Sequence, residues 1–366
     1  MKSPKTNILS FDADRRNFIK TASLGAMAMS FPLPFLPENL KNVPMGVVVH
    51  SYGARWQSKE NSQKYPAFAD AIDMMEHCKQ IGAGGVQVLV SGWAEDFAKK
   101  VRDRREKLDL YLEGSIGLPK TPEDVAKFEA EVLAAKEAGA TVLRTACLSG
   151  RRYVNFKTPE EYKAFKGSAL KSMELAEPIV RKHKMKLAIE NHKDWTAKEL
   201  EAIINNLGSE WVGVTLDFGN NVSFLEDPME VIKTLAPYAF STHVKDMGVK
   251  DYKDGILLSE VPLGEGIVDV KAGVDLCKKL NPDLTFTLEM ITRDPLEIPY
   301  LTDGYWATFE DASAQETAKV LRLVKEKAFA GDLPHVTGLS PEEKLAYEEQ
   351  NVVDCLKYSR SSLGLV

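Results

Sequence analysis

Four segments of this chain repeat one pattern, a short apolar run that ends on a side chain able to ligate a metal. KLAIE ends on Glu190, GVTLD on Asp217, FSTH on His243 and LTFTLE on Glu289. Short runs without polar alternation read as strands covered on both faces, the condition of a parallel sheet. Glu190 and Asp217 are 27 residues apart, and Asp217 and His243 are 26, each close to one strand–helix repeat. Ligands at the ends of successive parallel strands converge on one mouth of a closed barrel. A single carboxylate after a strand commonly caps the next helix. Four in succession at barrel spacing are harder to explain that way.

The rest of the chain supplies the other repeats. Strands are expected over 46–49, ending at His50, and over 85–90, 141–145 and 284–288, with another over 108–112 that ends at Glu113. A helix over 67–80 places Ala71, Ile72, Met75 and Cys78 on one face. Thr121-Pro122-Glu123-Asp124 and Thr158-Pro159-Glu160-Glu161 are capped helix starts. Further helices begin near Ala197, Met229 and Val268, and 313–327 is the expected last barrel helix. Ser340-Pro341-Glu342-Glu343 opens an additional C-terminal helix. The expected fold is α/β, a (β/α)8 TIM barrel over 41–330 with a C-terminal helical extension over 331–366. A doubly wound open sheet is disfavoured, because HSYGARW after the first strand is no glycine-rich phosphate turn.

The first 40 residues stand apart. Lys2 and Lys5 precede the pair Arg15-Arg16, Asn17-Phe18-Ile19-Lys20 follows, and a run rich in small and apolar residues extends to Phe35. This resembles a twin-arginine export signal followed by a proline-containing linker, and implies a periplasmic destination. The run is too short to span a bilayer as a mature helix, so no membrane association is expected once the signal is removed. A formal charge of −6 gives no general attraction to phosphate backbones, and no nucleic-acid partner is expected. The four cysteines are far apart and form no C-x-x-C pair, which favours buried free thiols.

Three carboxylates and one imidazole form a hard, oxygen-rich ligand set. It suits one divalent ion, Mn²⁺ ahead of Mg²⁺ or Co²⁺, with Zn²⁺ also compatible. An ion so held would grip the carbonyl and hydroxyl oxygens of a sugar. Glu190 and Glu289 could then remove and return a carbon-bound proton through an enediolate. Lys245, two residues after His243, points to the same side of its strand. It reads as an oxyanion stabiliser or proton donor, or alternatively as an ion-pair partner. His192, two after Glu190, is a further candidate catalytic residue. His50, Glu113, Arg144 and Asn220 at strand ends, with Arg293 and Trp306 in the aromatic segment 292–309, are candidate substrate-binding residues. That segment could form a lid over a sugar ring or a loop packed on the barrel rim.

The Glu–Asp–His–Glu quartet on strands five to eight resembles the xylose-isomerase-like sugar phosphate isomerase/epimerase superfamily, which includes ketose 3-epimerases and inosose dehydratase. The resemblance covers roughly 44–327, and PLGEG at 262–266 is similar to a family loop that borders the site. It implies metal binding by Glu190, Asp217, His243 and Glu289, catalysis by both glutamates, and a small carbohydrate substrate. The chain departs where ketose 3-epimerases carry a histidine and an arginine that hold substrate hydroxyls, having Asn220 and Val249 instead. A lyase acting on a 3-keto-glycoside is therefore the alternative to an isomerase or epimerase. A phosphodiesterase would need more than six histidines for its metal cluster, and a non-catalytic sugar-binding barrel is the remaining reading. The sequence is compatible with a homo-oligomer.

Overall fold

Parallel pairing closes the sheet on itself. In a computed structural model that describes residues 43–366 apart from Asp311, eight strands form a barrel. They are β1 (Gly46–Val48), β2 (Gly85–Leu89), β3 (Tyr111–Ser115), β4 (Val142–Thr145), β5 (Lys186–Glu190), β6 (Val212–Asp217), β7 (Ala239–Val244) and β10 (Thr287–Leu288). Their order around the barrel is β1-β10-β7-β6-β5-β4-β3-β2. Register pairs Asp217 with His243 and His243 with Thr287. Three of the four strand ends that carry the candidate ligands thus lie side by side at one rim. The leader expected over 1–40 lies outside the described residues.

The helices begin where capping chemistry places them. They are α1 (Ala71–Gln80), α2 (Glu95–Leu108), α3 (Val125–Glu137), α4 (Pro159–His183), α5 (Ala197–Leu207), α6 (Pro228–Leu235) and α7 (Val270–Leu280). At α4 the Thr158 hydroxyl accepts from the Glu161 amide at 3.2 Å, and the Glu161 carboxylate accepts from the Thr158 amide at 3.3 Å, a complete capping box. Lys184 at φ 53° ends that helix. Pro178 sits inside it without breaking it.

The third strand is shifted from its expected position. Leu108 completes α2, Asp109 turns the chain at φ 50°, and β3 starts only at Tyr111. Glu113 therefore lies mid-strand, inside the barrel, rather than at a strand end. A second departure follows β7. The chain leaves the barrel as an antiparallel hairpin, β8 (Asp246–Tyr252) and β9 (Gly255–Val261), joined by a third strand, β11 (Leu296–Ile298). The turn carries Asp254-Gly255, a recognised hairpin signal.

The last two helices also take unexpected places. α8 (Ala314–Glu326) lies across the starts of α5 and α6, with Lys198 pairing Glu316 at 3.0 Å and Lys319 pairing Asp227 at 3.0 Å. The C-terminal helix α9 (Pro341–Ser362) is present as expected, and it fills the gap between α7 and α1 where an eighth barrel helix belongs. Glu349 meets His77 of α1 at 3.0 Å, and Lys278 of α7 donates to the Leu363 carbonyl at 3.1 Å. Glu348 accepts from the amides of Ala54 and Arg55 at 2.7 and 3.1 Å, bracing the loop after β1. Residues 331–366 thus complete the ring of helices.

Among the described residues no helix is long and apolar enough to cross a membrane. Cys78, Cys277 and Cys355 are buried free thiols and Cys147 is half-buried.

The opposite end of the barrel is plugged by Tyr111. Its hydroxyl accepts from the Gly46 amide at 2.8 Å and donates to the Phe286 carbonyl at 2.9 Å. Any Cβ at Gly46 would lie 2.3 Å from that oxygen, so glycine is required there. Tyr111→Phe removes two hydrogen bonds to backbone groups that still pair with each other, the Gly46 amide donating to the Phe286 carbonyl at 2.9 Å. The expected cost is about 0.5–1.5 kcal/mol, read from urea unfolding, with the opposite rim undisturbed.

Candidate active site

Glu190 ends β5, Asp217 ends β6, His243 is the penultimate residue of β7, and Glu289 follows β10. One ligand atom from each lies within 4.8 Å of all the others. From His243 Nδ1 the distances are 3.5 Å to Glu190 Oε2, 3.6 Å to Glu289 Oε1 and 3.8 Å to Asp217 Oδ2. Ion–ligand bonds of about 2.0–2.3 Å put neighbouring ligand atoms roughly 3–4 Å apart, which is the separation found. All four residues are buried.

The hydrogen bonds leave the right atoms free. Asp217 Oδ1 accepts from the amides of Gly219 and Asn220 at 2.9 and 2.7 Å, whereas Oδ2 has no hydrogen-bond partner. Lys245 Nζ lies 2.9 Å from Oδ2 as an ion pair, without hydrogen-bonding direction. His243 Nδ1 is likewise buried and unpartnered. Its other nitrogen meets Gln87 Oε1 at 2.8 Å, and Gln87 Nε2 donates to Glu113 at 2.8 Å. This chain of bonds makes Nε2 the protonated nitrogen and turns the Nδ1 lone pair toward the three carboxylates. Two buried atoms without hydrogen bonds, facing each other among hard donors, fit a divalent cation.

Electrostatics divides the carboxylates. Burial alone would raise Glu190, but Arg144 and His243 hold it well below the usual carboxylate range. Glu289 is held equally low against burial by Lys245 and His243. Asp217 is pushed up by burial, with Lys245 offsetting it only in part against Glu289 and Glu190. Burial opposes a charged His243, yet Glu190 and Glu289 raise its pKa. Lys245 keeps its proton, because Asp217 and Glu289 outweigh burial. Its ion pairs with Asp217 and Glu289 are the alternative that the sequence offered beside a catalytic part.

Several expected substrate contacts need correction. Glu113 lies behind the quartet with both oxygens occupied by Gln87, Ser241 and Thr285, so it positions His243 through Gln87. Arg144 is buried with Nε donating to Glu190 at 2.5 Å and Nη1 to Ser115 at 3.3 Å. It secures the glutamate's charge. The Asn220 amide is spent: Nδ2 donates to Glu190 Oε1 at 3.0 Å, and Oδ1 accepts from Lys193 at 2.5 Å and Lys245 at 3.3 Å. Trp306 donates its indole N–H to the Tyr300 carbonyl at 2.6 Å and packs edge-on against Tyr305. That segment is pinned to the far side of the mouth. Arg152 donates to Thr308 and Glu199, with its guanidinium between the rings of Tyr162 and Phe309 at 3.7 and 4.3 Å.

His50 and Arg293 sit on the open side. The His50 side chain is 41% exposed with Nδ1 3.4 Å from Glu289 Oε1, and Arg293 grips Glu260 at 3.0 and 2.5 Å while remaining 31% exposed. His192 is neutral, its pKa pushed down to about 3 by burial, and its Nδ1 is unpartnered.

Sequence reasoning missed Gln87, Lys193 and Glu260. Gln87 was marked by its polarity inside the apolar strand GVQVL, and Glu260 ends the apolar run ILLSE, the same signature as the quartet at a spacing no barrel repeat predicts. Asn191 directly follows Glu190. Its side chain accepts from the Asp217 amide at 2.7 Å and donates to the Asp217 carbonyl at 2.8 Å, fixing the end of β5 to the end of β6.

Comparison with known proteins follows the same lines. Residues 75–324 match the family described as Xylose isomerase-like TIM barrel. The chain is 24% identical over 235 residues to 3-oxo-isoapionate decarboxylase of Pectobacterium atrosepticum, covering 62% of this chain and 79% of that protein. Its fold is shared with D-psicose 3-epimerase crystallised in the presence of D-fructose, at 15% identity and TM-score 0.57, covering 88% of this chain and 100% of the other. It is shared too with a xylose isomerase-like barrel protein of Mycobacterium smegmatis in complex with magnesium, at 17% identity and TM-score 0.51, over 80% and 99% of the two chains.

Gln87→Leu removes the acceptor that fixes His243. Metal affinity is expected to fall about 10–100-fold, measured by Mn²⁺ titration against a competing chelator.

Proposed function

The chain belongs to the xylose isomerase-like TIM barrel family, and from that premise we propose that it is a divalent-metal-dependent isomerase or epimerase of a keto sugar or sugar derivative. The observation that carries this reading is the buried His243 Nδ1, which has no hydrogen-bond partner and lies 3.5 to 3.8 Å from carboxylate oxygens of Glu190, Glu289 and Asp217. Mn²⁺ is the proposed ion, with Mg²⁺ next. The M. smegmatis protein is in complex with magnesium. A bound divalent ion supplies the Lewis acidity that makes the hydrogen beside a carbonyl acidic.

The side chains do the rest. Glu190 and Glu289 project from β5 and β10, with β6 and β7 between them, so they reach a bound substrate from opposite sides. One takes the carbon-bound proton and the other returns it. Lys245, a lasting cation between Asp217 and Glu289, stabilises the enediolate oxygen. His50, at 3.4 Å from Glu289 and partly exposed, offers that glutamate's proton a path to the mouth.

A second reading is elimination or another carbanion reaction on the same barrel, such as release of an aglycone from a 3-keto-glycoside. It is supported by two positions. Val249 is buried in the hairpin β8–β9 and Asn220 has its amide engaged, so neither offers a ketose hydroxyl the grip that ketose 3-epimerases have there. The P. atrosepticum relative is a decarboxylase, a reaction that also generates charge beside a carbonyl.

Incubation in D₂O with Mn²⁺ separates the readings. Deuterium uptake into an intact keto sugar or glycoside is expected for epimerisation, and loss of the aglycone for elimination. Glu289→Gln should slow either outcome about 10²–10⁴-fold. Asp217→Asn should abolish stoichiometric metal. Full metal content in that variant would contradict the proposed centre.

We propose also that the chain is exported to the periplasm through its twin-arginine leader. Arg15→Lys with Arg16→Lys is expected to leave the protein in the cytoplasm on fractionation. Unchanged periplasmic protein would contradict it.

A further inference from the structure

Carboxylates and cations alternate around the quartet. Glu190, Asp217, Glu289 and Glu260 face Arg144, Lys245, Lys193 and Arg293, all buried except the half-buried Arg293. Three of the four cations are matched. Arg144 meets Glu190, Lys245 meets Asp217 and Glu289, and Arg293 takes Glu260 with two bonds.

Lys193 differs from these three. It is 4% exposed, and its ammonium donates to the neutral amide oxygen of Asn220 at 2.5 Å. Among the described residues no carboxylate lies within 4 Å of it. Lys245 donates to the same oxygen at 3.3 Å, so two ammonium groups share one uncharged acceptor. The neighbouring carboxyl Asp194 does not help. Its oxygens accept from the amides of Leu148 and Trp195, and burial pushes its pKa up to about 8. Burial, with Lys245 and Arg293 adding to it and Glu260 and Asp217 offsetting it only in part, brings Lys193 down to about 8, the response of a buried cation with no carboxylate in contact. A buried, unpaired ammonium is costly, and one beside a ligand site calls for an anion from outside.

We propose that the substrate carries a carboxylate, and that Lys193 pairs with it while the rest of the molecule reaches the metal group. The proposal rests on the metal-site reading above and narrows its substrate class from keto sugars in general to sugar acids. An enediolate alone does not account for Lys193, which bonds to Asn220 and to none of the four ligands. Lys245 already serves the reacting oxygen. Lys193 is a specificity-determining residue here, acting on a charge present in the ground state.

The test uses two non-reacting six-carbon probes, gluconate and sorbitol, titrated calorimetrically into Mn²⁺-loaded protein whose metal content is measured in the same sample. Gluconate is expected to bind at least about tenfold more tightly than sorbitol, and Lys193→Met to remove most of that preference. Lys193→Gln serves as a second variant, and each variant must hold stoichiometric metal to count as folded. A preference that survives in both variants would assign the carboxylate to the metal alone and overturn the proposal. Stoichiometric metal with no gluconate preference would overturn it too, leaving the isomerase reading intact. Absence of metal in the wild type would instead overturn that reading, and this inference with it.

Discussion

Burying three carboxylates and an imidazole side by side at one rim sets the electrostatic condition that the rest of the molecule answers. Each buried ion costs several kcal/mol unless paired, and like charges this close raise one another's pKa. The chain meets the cost with neighbours drawn from distant strands: Arg144 from β4, Lys245 after β7, and the Gln87–Glu113 pair from β2 and β3. Asp217 is the carboxylate left least satisfied, with one oxygen held by two amides and the other without a hydrogen bond. That imbalance is what an ion would relieve, so the same residues explain the strain and the proposed chemistry.

Positioning comes from the barrel. Register fixes Asp217 opposite His243, and Asn191 ties the ends of β5 and β6 by bonding both backbone groups of Asp217. Loops then close the surroundings. Arg152 pins the segment after β10 to the far side of the mouth, and Glu348 of α9 braces the segment that carries His50. The site is rigid in its ligands and open near His50 and Arg293.

The barrel and its quartet were readable because strands buried on both faces leave apolar runs, and their ends carry the chemistry. Boundaries were less so. β3 was misplaced because Leu108 continues the apolar pattern of 108–112 while belonging to α2, and only the left-handed turn at Asp109 separates the two. The hairpin β8–β9 was passed over despite Asp254-Gly255, since a barrel repeat predicts a helix after β7. Chain order also cannot tell which of two helices fills the gap between α7 and α1. For the site, the ligands follow from strand ends, but Arg144, Asn220 and Glu113 turned out to serve those ligands. Their side chains are drawn to the nearest buried charge, a choice that depends on neighbours far away in sequence.

The central claim is that Glu190, Asp217, His243 and Glu289 hold one divalent ion. Anomalous diffraction at the manganese edge from crystals of the Mn²⁺-loaded protein tests it most directly. The account predicts a single peak within bonding distance of all four residues, with Lys245 Nζ moved off Asp217 Oδ2. No peak at that position, with the Lys245 ammonium still seated between Asp217 and Glu289, would contradict it.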